Sequence, residues 1–114
     1  MSSAPNNEFL STAIKVDTVA KENLIRPNPR RDDAITNSDK NGLPPITVSA
    51  LQGQYLAVQA RLIGAKSVLE VGTLGGYSTT FFAEAGCHVT SIEISPKHRD
   101  VALQNIAHVG HRQG

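Results

Sequence analysis

Two glutamates and three glycines are the residues of this chain best placed to do chemistry. In Val68-Leu69-Glu70-Val71-Gly72-Thr73-Leu74-Gly75-Gly76-Tyr77-Ser78, an apolar run carrying Glu70 gives way to glycines at positions 72, 75 and 76. A strand that turns sharply into a helix leaves several backbone N–H groups facing one spot. Gly72 permits the turn, and Gly75 and Gly76 admit the close approach of a ligand or a neighbouring strand. A glycine-rich turn with only a packing role is the plainer alternative. Glu93 ends a second apolar run, His88-Val89-Thr90-Ser91-Ile92. A carboxylate there lies beside the crevice where open α/β sheets bind ligands, and it can accept from both hydroxyls of a ribose. It follows Glu70 by roughly the twenty residues that separate a nucleoside-binding loop from its ribose acid. The competing interpretation is an exposed acid at a strand end, and in such a place the fold is expected barely to notice its loss.

The pattern excludes two familiar phosphate binders. A P-loop needs Gly-Lys-Ser/Thr at the helix start, and this chain has Gly76-Tyr77-Ser78; a dinucleotide loop needs a glycine two positions after Gly72, where Leu74 stands. Glu70 adds negative charge where a phosphate would be repelled and a cationic ligand favoured. S-adenosylmethionine carries a ribose, a sulfonium and an α-amino group, and no phosphate. It fits a site with Glu70 near its positive charges, the glycine run along its methionine end and Glu93 at its ribose.

Bulk properties narrow the remaining classes. The chain has 114 residues, enough for one domain with a modest core. Eleven Lys and Arg against ten Asp and Glu leave it nearly neutral, with no basic run to bind nucleic acid. Two Tyr, three Phe and no Trp make a poor base-stacking platform. Cys87, the only cysteine, cannot form an intramolecular disulfide and is expected to pack in a strand. No signal peptide or membrane-length apolar run is present in the sequence, so a soluble, cytoplasmic protein is expected.

Residues 1–6 are polar and expected to be a disordered tail; 7–47 form a helical segment and linker, and 48–114 the ligand-binding unit. Phe9, Leu10, Ile14, Val19 and Leu24 predict an amphipathic helix from Asn7 to Leu24, ended by Pro27 and Pro29. Arg30 to Asn41 has a weak helical case, and Leu43-Pro44-Pro45-Ile46 reads as extended. Ser49 and Gln52 make a capping box, after which Leu51, Tyr55, Val58 and Leu62 form one apolar stripe as far as Gly64. Then come strand, helix (Tyr77 to Ala85), strand, and a helix opened by Ser95-Pro96 with Val101, Ala102 and Ile106 inward. Two strands with a crossover helix predict a right-handed βαβ unit and a parallel sheet.

VLEVGTLGGYS, with VTSIEIS after it and ITVSALQGQYLAVQARLIGAK before it, resembles the cation-dependent O-methyltransferases, which include the catechol and caffeoyl-CoA enzymes. The resemblance runs from about Leu43 to Gly110. It implies a Rossmann-like class I methyltransferase fold, truncated after the second βα unit, with S-adenosylmethionine as cofactor and a small hydroxyl-bearing acceptor. It further implies that Val48, Glu70, Gly72 and Thr73 line the cofactor's methionine end, that Ser78 holds its carboxylate and that Glu93 binds its ribose. Tyr77 matches the family's Gly-Tyr-Ser, with packing as ready a role as contact. The family's magnesium ligands and acceptor-positioning groups lie beyond the second βα unit, and His111-Arg112-Gln113-Gly114 does not resemble that continuation. No catalytic or metal-binding residue is therefore assigned, and His108 and His111 read as solvated helix-end histidines. A shortened chain would leave a sheet edge open to self-association. A non-catalytic homologue that binds nucleoside or a partner subunit remains the rival, ahead of a divergent NAD-binding domain.

Overall fold

The computed structural model describes residues 7–110. The expected tail at 1–6 and His111 with the residues after it lie outside them. Five helices and two strands follow one another as α1 (Asn7–Leu24), α2 (Pro29–Lys40), α3 (Ala50–Leu62), β1 (Ser67–Val71), α4 (Tyr77–Glu84), β2 (His88–Ile92) and α5 (Pro96–Gly110). The strands pair in parallel, from Ser67 opposite His88 to Val71 opposite Ile92. The ladder continues into the loop, where Gly72 N–H donates to Ile92 O at 2.7 Å.

Local signals explain where the helices begin and stop. Both halves of the capping box are made: Gln52 N–H donates to Ser49 Oγ, and Ser49 N–H to Gln52 Oε1. The segment read as weakly helical is a complete helix. Asn28 caps it by accepting from Arg31 N–H, and Pro29 supplies the preset first turn. At the ends of α2, α3 and α4 the N–H groups of Leu43, Ala65 and Cys87 reach back to the carbonyls of Ser38, Ala60 and Phe82. This is the six-to-one closure that a left-handed glycine permits, and Gly42, Gly64 and Gly86 supply it.

The core lies between α3 and α4 around Ala57, Tyr77 and Phe81, with Ile35, Val48, Ala50 and Ala85 against it. The apolar stripe expected on α3 is not its buried face. Gly53, Ala57 and Ala60 are buried, whereas Tyr55, Val58 and Leu62 are exposed. The reason is close helix packing. A Cβ on Gly53 would lie 2.4 Å from the Phe81 ring, so only small residues let the α3 backbone approach. The Arg31 guanidinium lies over that ring, 3.7 Å from the centroid, and Tyr77 packs against it edge-to-face at 78°. Arg31 is itself buried and ion-paired with Glu84.

Helix α1 forms where expected, yet none of its residues is buried. On the sheet, Leu69, Val71 and Ile92 face outward and are exposed, while Val68, Glu70, Val89 and Ser91 turn towards the helices.

Candidate cofactor-binding site

The turn from β1 into α4 is held from both sides. Gly72 has φ +87°, and nothing lies within 4 Å of where its Cβ would be, so this glycine keeps the front of the loop open. The other two answer to the interior of the molecule. A Cβ on Gly75 would fall 2.2 Å from Ser38 Oγ of α2, and one on Gly76 would fall 3.0 Å from Ile106 of α5. Close approach at Gly75 and Gly76 is therefore that of α2 and α5, and the expectation of a ligand or strand there is corrected. Gly76 offers no side-chain cap to α4, which leaves the first N–H groups of that helix as free donors at the loop.

Glu70 and Glu93 flank this loop in different ways. The Glu70 carboxylate accepts from Ser78 Oγ at 2.6 Å, from Ser91 Oγ at 2.8 Å and from Thr79 Oγ1. Thr73 Oγ1 lies 2.5 Å from Ser91 Oγ, so a proton chain runs from Thr73 through Ser91 to Glu70. Three hydroxyls thus converge on one carboxylate. Glu93 reaches back to the loop: Oε1 accepts from Leu74 N–H at 2.8 Å and Oε2 from Ser95 N–H at 3.1 Å. Backbone donation from Ser95, then from Leu74, holds its carboxyl below the usual carboxylate range. His98 Nδ1 stands 4.0 Å from Oε2. Leu74 has φ +52°, a left-handed conformation that costs a leucine energy, and the Glu93 bond helps to fix it.

The structure thus brings Glu70, Gly72, Thr73, Ser78 and Glu93 to one end of the parallel sheet. Val48 packs on the core cluster that contains Tyr77, the first residue of α4. Burial pushes the Tyr77 phenol up from its ordinary pKa, as suits a core tyrosine. Sequence reasoning missed Thr79, Ser91 and Asn105. Asn105 carried a signal, since it falls four residues after Val101 on the inward stripe of α5, where a polar side chain must find partners. Among the described residues, His, Cys, Asp and Glu form no group of three able to hold a metal ion. Nor is any described helix long and apolar enough to cross a membrane.

The O-methyltransferase family model matches residues 31–113. The chain belongs to the O-methyltransferase family. The match starts within α2, earlier than the motifs alone suggested. The chain is 40% identical over 98 residues to a catechol O-methyltransferase of Mycobacterium tuberculosis, covering 83% of this chain and 44% of that protein. It is 44% identical over 86 residues to a catechol O-methyltransferase of Niastella koreensis, covering 69% and 39%. It superposes with a TM-score of 0.81 on the O-methyltransferase of Bacillus cereus in complex with SAH, at 34% identity, covering 84% of this chain and 45% of that one. The chain spans less than half the length of these relatives. Its architecture is the Rossmann-like class I methyltransferase fold, here with the first two parallel strands and their helices.

Proposed function

We propose that the site binds S-adenosylmethionine, and that the chain is the cofactor-binding part of an O-methyltransferase acting on a hydroxyl of a small acceptor. The observation that carries the reading is the pairing of an open glycine loop with two carboxylates, Glu70 and Glu93, at the sheet's carboxyl edge. This pair of acceptors suits a cationic nucleoside and disfavours a pyrophosphate. Glu93 would take the ribose hydroxyls on its remaining lone pairs. Glu70, Gly72, Thr73 and Val48 would line the methionine end, with the free N–H groups of α4 at its carboxylate and Ser78 joining them once its hydroxyl turns from Glu70. When bound, the cofactor supplies an electrophilic methyl group. Among the described residues no group of three His, Cys, Asp or Glu could hold the family's divalent cation.

Calorimetric titration with S-adenosylmethionine, S-adenosylhomocysteine and NAD tests the reading. Either sulfur nucleoside should bind more tightly than NAD, and tighter NAD binding would overturn it. We also infer self-association through the sheet. Leu69, Val71 and Ile92 are 67%, 80% and 54% exposed, and Ile94 beside them is 97% exposed. Sedimentation at rising concentration should show oligomers, and a monomer throughout would remove this inference.

A further inference from the structure

We propose that Asn105 is a positioning residue for the glycine loop, acting on cofactor affinity from behind the site. The inference rests on the cofactor reading above. Asn105 is 3% exposed, in the body of α5. Its Nδ2 donates to Gly75 O at 2.9 Å, and lies 3.2 Å from Ser38 Oγ and 3.3 Å from Ala34 O. Its Oδ1 accepts from Asn37 Nδ2 at 2.8 Å. The carboxamide is therefore fully used, and it joins three parts of the molecule: α2, α5 and the crown of the loop.

The Gly75 carbonyl is the point at which the loop is gripped. On one side Ser38 fills the space a Cβ would need; on the other, Asn105 holds the oxygen. The next N–H, that of Gly76, closes the turn onto Thr73 O at 2.9 Å. Leu74 lies inside this closed turn, in its left-handed conformation, with its N–H on Glu93. Removing the Asn105 donor leaves a buried carbonyl without its partner. The turn then has reason to rotate, Leu74 can relax to an ordinary conformation, and its N–H leaves Glu93. The carboxylate proposed to hold the ribose loses one of its two braces. Asn105 touches no ligand in this account; it sets the position of groups that do.

The alternative is that Asn105 merely ties α2 to α5, a role that Asn37 shares. The test compares Asn105→Ala with Asn37→Ala, which removes the tie from Asn105 Oδ1 to α2 and leaves the bond to Gly75. S-adenosylhomocysteine affinity is measured at 10 °C on protein whose circular dichroism matches the parent, beside amide exchange at Leu74. Asn105→Ala should bind about tenfold more weakly and exchange the Leu74 amide about tenfold faster. Asn37→Ala should stay within twofold of the parent in both, even where the two variants melt alike. Equal affinity and exchange in folded Asn105→Ala would overturn the proposal. So would failure of both Asn105→Ala and the isosteric Asn105→Asp to fold in excess ligand, since the role would then be structural. A parent that binds no S-adenosylhomocysteine overturns the cofactor reading, while Leu74 exchange still decides the role of Asn105.

Discussion

Replacing Glu93 by glutamine separates the two jobs assigned to that side chain. Its carboxylate accepts from Leu74 N–H at 2.8 Å and from Ser95 N–H at 3.1 Å. Glutamine keeps one acceptor oxygen and turns an –NH2 towards the other donor. One charge-assisted bond is lost and the second becomes neutral, which together costs about 2 kcal/mol of folding stability. For a domain of this size that corresponds to a melting temperature lower by roughly 8–16 °C. The proposed ribose contacts lose their charged acceptor too, so S-adenosylhomocysteine should bind about 30-fold more weakly, the equivalent of about 2 kcal/mol. Thermal unfolding followed by circular dichroism reads the first effect, and calorimetry on folded variant at 10 °C reads the second. A melting temperature within about 2 °C of the parent would refute the bracing of the loop. Unchanged affinity in folded protein would refute the ribose contact and leave the brace standing.

Three further outcomes follow from the same structure. The folded pKa of Glu93 is depressed, so its contribution is present above the ordinary carboxylate value of about 4 and is lost as pH falls through the folded one; the melting temperatures of parent and Glu93→Gln should therefore converge in acid. Gly53→Ala would ordinarily gain about 1 kcal/mol of helix propensity, but its Cβ would meet a ring wedged between Arg31 and Tyr77. Overpacking of about 1–3 kcal/mol should win, and a raised urea midpoint would show that the ring yields. Asn28→Ala removes the cap of α2 and a bond to Glu84, and should lower the melting temperature by roughly 4–8 °C, with affinity measured alongside as the control.

What could be read from the sequence depended on whether the signal was local. The Ser49–Gln52 box is a contact between near neighbours, and it forms as read. The βαβ order and the inward Val101 and Ala102 of α5 likewise follow from spacing alone. Helix α2 was underestimated because its buried side chains include an arginine, whose burial depends on a phenylalanine and a glutamate some fifty residues away. On α3 apolar bulk does not mark the interior, because the partner ring selects residues with almost no side chain, a choice that spacing does not carry. Among the site residues, the types and order of Glu70, Gly72 and Glu93 were legible. That Gly75 and Gly76 are small to admit α2 and α5 was not, because that packing brings together residues far apart in the chain.

The grip on Gly75 also bears on the order in which the protein is made. Glu70 and Ser91, at the front of the loop, are 21 residues apart in the chain, whereas Asn37 and Asn105, behind it, are 68 apart. Short loops close at lower entropic cost, so the front can form while α5 is still being synthesised. At ribosomal rates the residues between Glu93 and Asn105 take about a second to add. For that interval a growing chain has Ser38 of α2 behind the turn but lacks the Asn105 donor to the Gly75 carbonyl. With Asn105 in the positioning role proposed above, α5 completes a site whose proposed ligand-contacting residues all precede it in the chain.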